Sequence, residues 1–157
     1  MRVTAAMIIA ELMQDHHERC DEEFVAAEEA LRRGRWAAGR SLLEAFGRDL
    51  ECHFAAEEEI LFPAFEAATG MREGPTQMMR YEHSQARNLL AQMVAAAVAE
   101  DGDDCAGAAE TLLILMQQHN AKEEHILYPM CDAALDADHD TLAQALRQRL
   151  ADGTLSA

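Results

Sequence analysis

The chain has 157 residues, of which 50% are hydrophobic and 27% are charged, and its formal net charge is −16. This size and composition are typical of one globular domain with its own core. The acidic excess excludes the clustered Lys and Arg that bind nucleic acid or an anionic membrane surface. Because the sequence has neither an apolar run long enough to span a bilayer nor a signal peptide, we expect a cytoplasmic protein.

Helix-forming residues dominate the composition. Aromatic residues make up only 5% of the chain, and Ala, Leu, Glu, Gln, Arg and Met are abundant. The predicted fold class is therefore all-α. The cysteines include no Cys-x-x-Cys pair and are expected to be small apolar core residues; they are Cys20, Cys52, Cys105 and Cys131.

The first half of the chain predicts two long helices, because its apolar residues recur at helical spacing. The first helix runs over about residues 4–33, with Thr4 as its N-terminal cap. The second runs over about residues 36–69, with a kink or loosened turn at Pro63 and with Gly70 as its C-cap.

The second half repeats this arrangement. A third helix is predicted over about residues 75–100, and a fourth over about residues 104–135 with Asp104 as its cap. A short amphipathic helix follows over about residues 139–151. Long helices joined by short loops predict an up-down-up-down antiparallel four-helix bundle with the short helix outside it, all in one domain over residues 1–157.

An eleven-residue motif occurs twice, with its copies 66 residues apart. Both copies read His-x-x-x-Glu-Glu-x-Ile-Leu-(Phe/Tyr)-Pro, over residues 53–63 and 119–129. Because residues four apart share a helix face, the His and the first Glu of each copy point the same way. Each copy therefore offers an imidazole nitrogen and a carboxylate oxygen, a donor pair that suits iron or manganese. The two pairs are His53 with Glu57 and His119 with Glu123.

One histidine from each long helix is expected at the same level of the bundle. Each lies 17 to 19 residues from Gly34 or Gly102 in the nearest turn, and at about 1.5 Å of rise per residue these counts agree within one helical turn. The two Glu side chains lie one turn further and face each other, where a pair of buried carboxylates needs a cation. The predicted metal ligands are His16, His53, Glu57, His83, His119 and Glu123.

Two polar residues close to these positions, His17 and Tyr128, are not predicted to bind metal. His17 is rotated about 100° from His16 on an ideal helix and is expected to face solvent or a helix interface. We favour His16 as the ligand because an acidic residue precedes it, as one precedes His83. Tyr81 and Tyr128 could donate to a metal-bound oxygen, but Tyr128 takes the place that Phe62 has in the first copy, which favours packing as its role.

His125 and His139 lack ligand spacing and are expected on the surface.

These residues resemble the pattern of the hemerythrin and HHE cation-binding family. That pattern has one His on the first helix, His-x-x-x-Glu on the second, a His on the third, and a His followed by a carboxylate on the fourth. The resemblance implies a four-helix bundle that holds two non-haem iron ions, bridged by carboxylates and by an oxo or hydroxo group. Members of the family carry or sense oxygen, sense nitric oxide or redox state, handle iron, or repair damaged metal centres.

One position departs from the oxygen carriers of this family. The carriers have a second His four residues after the ligand of the third helix, and this chain has Arg87 there. The resemblance therefore implies two His for each iron, with Glu57 and Glu123 as bridges. The carriers place the bridging carboxylate of the fourth helix five residues after its His, so the resemblance leaves Glu124 as the alternative to Glu123 and, with less support, Glu58 as the alternative to Glu57. Counting along the helices places Arg87 level with Asp49, so we expect these two side chains to pair.

The leading interpretation is a di-iron protein that binds or senses oxygen, peroxide or nitric oxide. The alternatives are a di-iron enzyme that consumes peroxide or nitric oxide, and an iron store or donor for the repair of metal centres. The same ligands serve all three functions. The patterns of ferritin-like sites, zinc proteases and hydrolases are absent, and we favour a binding protein over an enzyme.

Overall fold

A computed structural model describes residues 8–155, with side chains up to residue 152. Every regular element in these residues is helical, which confirms the all-α prediction. The predicted cap Thr4 lies outside the described residues. The helices are α1 (Ile8–Arg32), α2 (Trp36–Ala56), α3 (Phe62–Thr69), α4 (Pro75–Val98), α5 (Gly102–Lys122), α6 (Tyr128–Ala134) and α7 (His139–Leu155), with a short 3-10 turn at Asp136–Asp138.

Local sequence sets the helix ends. Gly34, after α1, and Gly70, after α3, both have a φ of +74°, which glycine adopts without strain. Gly70 is the C-cap of α3, as predicted. The prediction that Asp104 caps the next long helix is wrong, because that helix begins two residues earlier than expected. Its cap is Asp101, whose side chain accepts the Asp104 N–H at 3.0 Å.

Each copy of the repeated motif contains a π-helical turn, at Glu57–Leu61 and at Glu123–Leu127. Pro63 and Pro129 follow these turns two residues later, and a proline has no N–H to donate to the carbonyl four residues back. The residue before each proline donates its N–H to the Glu five residues earlier. The predicted disturbance at Pro63 therefore takes the form of one extra residue in the preceding turn.

The helices pack around two apolar clusters. Helix α1 packs on α2, α4 packs on α5, and α7 lies against α1 and α2. Along α2, Leu50 and Phe54 belong to the first cluster, whereas Ala56 belongs to the second. His53 and Glu57 therefore lie where the two clusters meet. The four cysteines are buried and unpaired, as expected. None of the helices in the described range has an apolar stretch long enough to cross a bilayer.

The start of α1 is held by a side chain of α6. Asp132 is 1% exposed and its two carboxylate oxygens accept the N–H groups of Ile9 and Ala10, at 2.9 and 3.0 Å. His139 Nε2 lies 3.0 Å from the same carboxylate, and His139 is buried. The prediction that His139 is a surface residue is wrong, because its ring lies against the buried Asp132 carboxylate. His125 is exposed, as expected.

Candidate metal centre

Four side chains from three parts of the chain bring donor atoms together in the interior. They are Glu57, His83, His119 and Glu123, and one ligand atom from each lies within 4.8 Å of all the others. Both Glu side chains and His83 have no exposed surface, and His119 is 1% exposed. Each Glu is the first residue of a π-helical turn, and each copy of the motif contributes a carboxylate to one buried point.

A second group shares one of these carboxylates. It consists of His17, His53 and Glu123, whose donor atoms also lie within 4.8 Å of one another. His17 Nε2 is 3.1 Å from Glu123 Oε1, and His53 Nε2 is 3.6 Å from Glu57 Oε2. Two sets of nitrogen and oxygen donors therefore meet at Glu123, and Glu57 of the first set also lies close to His53 of the second.

The inward atoms of the first group fit a cation. Glu57 Oε1, Glu123 Oε2 and the Nε2 atoms of His83 and His119 are buried, and none has a hydrogen-bond partner among the described residues. His83 Nε2 lies 3.0 Å from Glu57 Oε1, but the two atoms are not aligned for a hydrogen bond. Buried carboxylate and imidazole atoms without partners are costly, and a metal ion bound between them would offset this cost.

Three of the four inward histidines have a carboxylate behind them. His17 Nδ1 lies 2.7 Å from Glu124, His83 Nδ1 lies 2.7 Å from Glu58, and His119 Nδ1 lies 2.9 Å from Glu82. A carboxylate in this position fixes the ring so that its Nε2 lone pair points inward, and it increases the basicity of that nitrogen. The second Glu of each Glu-Glu pair therefore lies outside the cluster and supports a histidine from the other half of the chain.

The structure does not bring His16 into either group. Its Nδ1 faces His53 Nδ1 at 2.9 Å, on the side of the His53 ring that points away from the carboxylates. The prediction that His17 faces solvent or a helix interface is wrong, because His17 is 3% exposed and both of its ring nitrogens contact carboxylates. Counting from the loops gave the level of these residues correctly, but it does not fix the rotation of α1.

The internal repeat contains the signal that identifies His17. The two copies of the motif are 66 residues apart, and the residue 66 positions before His83 is His17. The residue 66 positions before Glu82 is His16. His16 behind His53 therefore corresponds to Glu82 behind His119, and the same spacing relates the inward His and Glu residues of one half of the chain to those of the other.

Arg87 does not pair with Asp49. Its guanidinium donates to Glu58 Oε2 at 2.9 Å and to Glu51 Oε2 at 2.8 Å. Asp49 lies 3.2 Å from Arg19 instead. The predicted Arg87–Asp49 pair is wrong for the same reason as the predicted orientation of His17. Two residues at the same height in the bundle do not necessarily point their side chains towards each other. Arg87 neutralises the carboxylate that supports His83.

Tyr128 contributes its hydroxyl to the site rather than only a packed ring. The side chain is fully buried, and its hydroxyl donates to Glu57 Oε2 at 2.6 Å and lies 2.9 Å from Glu123 Oε1. The same oxygen lies 3.2 Å from the Nε2 atoms of both His17 and His53. The motif gave no sign of this contact, because the equivalent residue in the first copy is a phenylalanine.

The pKa values of three of the histidines are shifted in opposite directions, depending on whether a carboxylate contacts the ring. Burial alone lowers the pKa of His17, but hydrogen bonds to Glu123 and Glu124 outweigh burial and raise it to about 10. Burial is similarly outweighed at His83, whose pKa is raised to about 9 by Glu57 and Glu58. His16 has no such partner, and burial followed by repulsion from His53 lowers its pKa to about 3.

A cavity of about 170 Å³ adjoins the second group. This volume is sufficient for a diatomic molecule. His17 and His53 line the cavity together with apolar side chains and with the polar residues Asp21, Gln117 and Asn120. The apolar part of the lining includes Phe24, Phe46, Leu50 and Leu112.

Comparison with known proteins agrees with the resemblance found in the sequence. Residues 8–131 match the model of the hemerythrin HHE cation-binding domain. A curated relative, the iron-sulfur cluster repair protein YtfE of Edwardsiella ictaluri (strain 93-146), is 33% identical over 91 residues, which cover 54% of this chain and 41% of the relative. The match thus spans about two fifths of the length of that relative. No solved structure matches the chain.

Proposed function

Because the chain belongs to the hemerythrin HHE cation-binding domain family, we propose that it binds two iron ions and, through them, binds or senses a small oxidant such as oxygen, peroxide or nitric oxide. The observation that carries this proposal is the pair of buried donor groups that share Glu123. Iron bound there would supply one-electron chemistry and open positions for an exogenous ligand.

In this proposal six side chains hold the metal ions. His83 and His119 serve one ion, His17 and His53 serve the other, and Glu57 and Glu123 lie between the two pairs. His17 takes the place predicted for His16, which supports His53 from behind. The outer carboxylates described above keep the inward nitrogens of three histidines available as donors.

A small ligand is proposed to approach from the side of His17 and His53. On the opposite side, the ring of Phe54 stacks on His83 with centroids 3.9 Å apart, and the Arg87 guanidinium lies 5.2 Å from the centre of that ring. The residues 66 positions from these two are Asn120 and Asp21. Both line the cavity. The large side chains that cover His83 are therefore replaced by smaller ones beside His17 and His53.

The metal site is tested by anaerobic titration with ferrous iron followed by a metal count. We expect two iron ions per chain in the natural protein, about one in His17→Ala, and two in His16→Ala. The neighbouring histidine is a matched control because the same group is removed from the same helix. Equal iron content in both variants, or iron lost from His16→Ala alone, would contradict the ligand set. Nitric oxide or oxygen added to the reduced protein should then change its absorption spectrum.

A second candidate is donation of iron to damaged metal centres. The observation that favours it is the similarity to an iron-sulfur cluster repair protein. The two functions separate in one experiment, in which the ferrous protein is mixed with an apo iron-sulfur protein and sulfide. Cluster assembly faster than iron release to a chelator supports donation, and retention of both ions supports ligand binding.

A further inference from the structure

We propose that Tyr128 is a seventh protein ligand of the iron site, through its phenolic oxygen, at the ion held by His17 and His53. This inference rests on the proposed function, because it assumes that iron binds there. It goes beyond the ligand set of the repeated motif, in which this position is aromatic but carries no donor atom in the first copy.

The position of the hydroxyl is set by the local backbone. Tyr128 follows Glu123 by five residues, and five residues on a regular α-helix do not bring two side chains to the same face. The π-helical turn Glu123–Leu127 adds one residue to the turn, and the N–H of Tyr128 bonds to the Glu123 carbonyl. The phenol is therefore carried onto the face that holds the Glu123 carboxylate.

The hydrogen-bond distances around the hydroxyl are also compatible with those between neighbouring ligands of one metal ion. The Tyr128 oxygen lies 2.6 Å from Glu57 Oε2, 2.9 Å from Glu123 Oε1 and 3.2 Å from the Nε2 atoms of His17 and His53. Metal bonds of about 2.1 Å place neighbouring corners of a coordination octahedron about 3.0 Å apart. All four separations lie near this value. One ion among these donor atoms would have the phenolic oxygen within bonding reach.

The surroundings favour oxygen coordination over packing alone. Tyr128 has no exposed surface, and a buried hydroxyl requires partners. The four polar neighbours of the hydroxyl are Glu57, Glu123, His17 and His53, each of them a proposed iron ligand, so a metal ion among them competes with the hydroxyl for their lone pairs. Coordination resolves this conflict. With ferric iron bound there, the O–H bond would break, the oxygen would donate the released electron pair to the ion, and the proton would pass to solvent.

The two copies of the motif make the two iron positions chemically different. The residue 66 positions before Tyr128 is Phe62, which is buried and lies near His83, with ring centroids 5.8 Å apart. A phenyl ring adds no donor atom. A phenolate on one side only would stabilise the ferric state of the ion at His17 and His53 relative to that at His83 and His119.

The test compares the natural protein with Tyr128→Phe and Tyr81→Phe. Tyr81 is 64% exposed and is the matched control, because the same oxygen is removed away from the site. Each protein is loaded anaerobically with ferrous iron, its iron is counted, and it is oxidised with ferricyanide. Visible absorption and resonance Raman spectra then report whether a phenolate is bound to ferric iron, independently of any activity.

We expect a phenolate-to-iron charge-transfer band, with enhanced tyrosine ring vibrations, in the natural protein and in Tyr81→Phe. Tyr128→Phe should lose both signals while it keeps two iron ions and shows a more positive reduction potential. Two bound iron ions without these signals in the natural protein, or signals that persist in Tyr128→Phe, would overturn the assignment and leave the proposed function standing. A natural protein that binds no iron would overturn both.

Discussion

The Nδ1 atoms of His16 and His53 lie 2.9 Å apart. The Nδ1 of His53 therefore contacts an imidazole, whereas the Nδ1 of each of the other three inward histidines contacts a carboxylate. The pKa of His16 is lowered to about 3 by burial and by His53, so the ring is neutral at physiological pH. A neutral His16 accepts the Nδ1–H of His53 and leaves His53 Nε2 free to bind metal. His53 therefore has the least basic donor nitrogen of the four.

His16→Ala should weaken metal binding at the position of His17 and His53 by about tenfold or more, because His53 loses the hydrogen bond that orients its ring. The stoichiometry at saturation should remain two. His16→Gln should restore much of the affinity, since its amide oxygen also accepts a hydrogen bond. Competition with a chelator of known affinity measures the difference. Equal affinities for the alanine variant and the natural protein would show that the 2.9 Å contact does not orient His53.

Metal binding should release protons. Without metal, the pKa values of His17 and His83 are raised to about 10 and about 9, so both rings are protonated at pH 7. A histidine must lose its inward proton to bind a metal ion. The pKa of His119 is also raised, because Glu123 outweighs the effect of burial. We therefore expect release of at least about two protons per chain at pH 7, and an apparent affinity that rises with pH until it levels off as pH passes about 9 to 10.

Calorimetric titrations in two buffers of different ionisation enthalpy measure this proton release. His125→Gln is the control, because this histidine is exposed and should leave the number of released protons unchanged. Metal binding without proton release at pH 7 would show that these two rings are neutral in the metal-free protein, contrary to the raised pKa values.

The types of side chain that form the site could be predicted from the sequence more reliably than the direction in which α1 points its histidines. The spacing of His53 to Glu57 and of His119 to Glu123 depends only on helix periodicity, and these side chains do meet in the interior. The choice between His16 and His17 depends on how α1 is rotated about its axis. Packing against the other helices sets that rotation, and apolar spacing gives it only approximately.

Two further features depended on details that periodicity does not contain. The inward hydroxyl of Tyr128 follows from a π-helical turn, for which Pro129 is the only local signal. The contacts of Arg87 with Glu51 and Glu58 follow from the direction of a long flexible side chain. The helical class of the fold, in contrast, follows directly from composition and from helix end signals such as Gly70.

Asp132→Ala should lower the free energy of unfolding by about 2 kcal/mol or more, because two N–H groups at the start of α1 lose a buried acceptor. The natural contacts are those of Asp132 with Ile9 and Ala10. Asp136→Ala is the control, since that side chain is 76% exposed and should change stability little. Urea unfolding of the metal-free proteins compares the variants. Similar losses in both would mean that Asp132 does not hold the start of α1.

Asn120→Phe should slow the reaction of the reduced iron-loaded protein with nitric oxide while it leaves two iron ions bound. Asn120 lines the cavity next to His17 and His53, and a phenyl ring there would occupy the place that Phe54 has in the other half of the chain. We expect the second-order rate constant in stopped-flow absorption to fall about tenfold, the factor that follows from about 1.4 kcal/mol of added barrier. Asn88→Phe places the same ring on an exposed position of α4 and should react at the natural rate. An unchanged rate in Asn120→Phe would mean that the ligand reaches the iron by another path, and equal slowing in both variants would point to a general effect of the added ring.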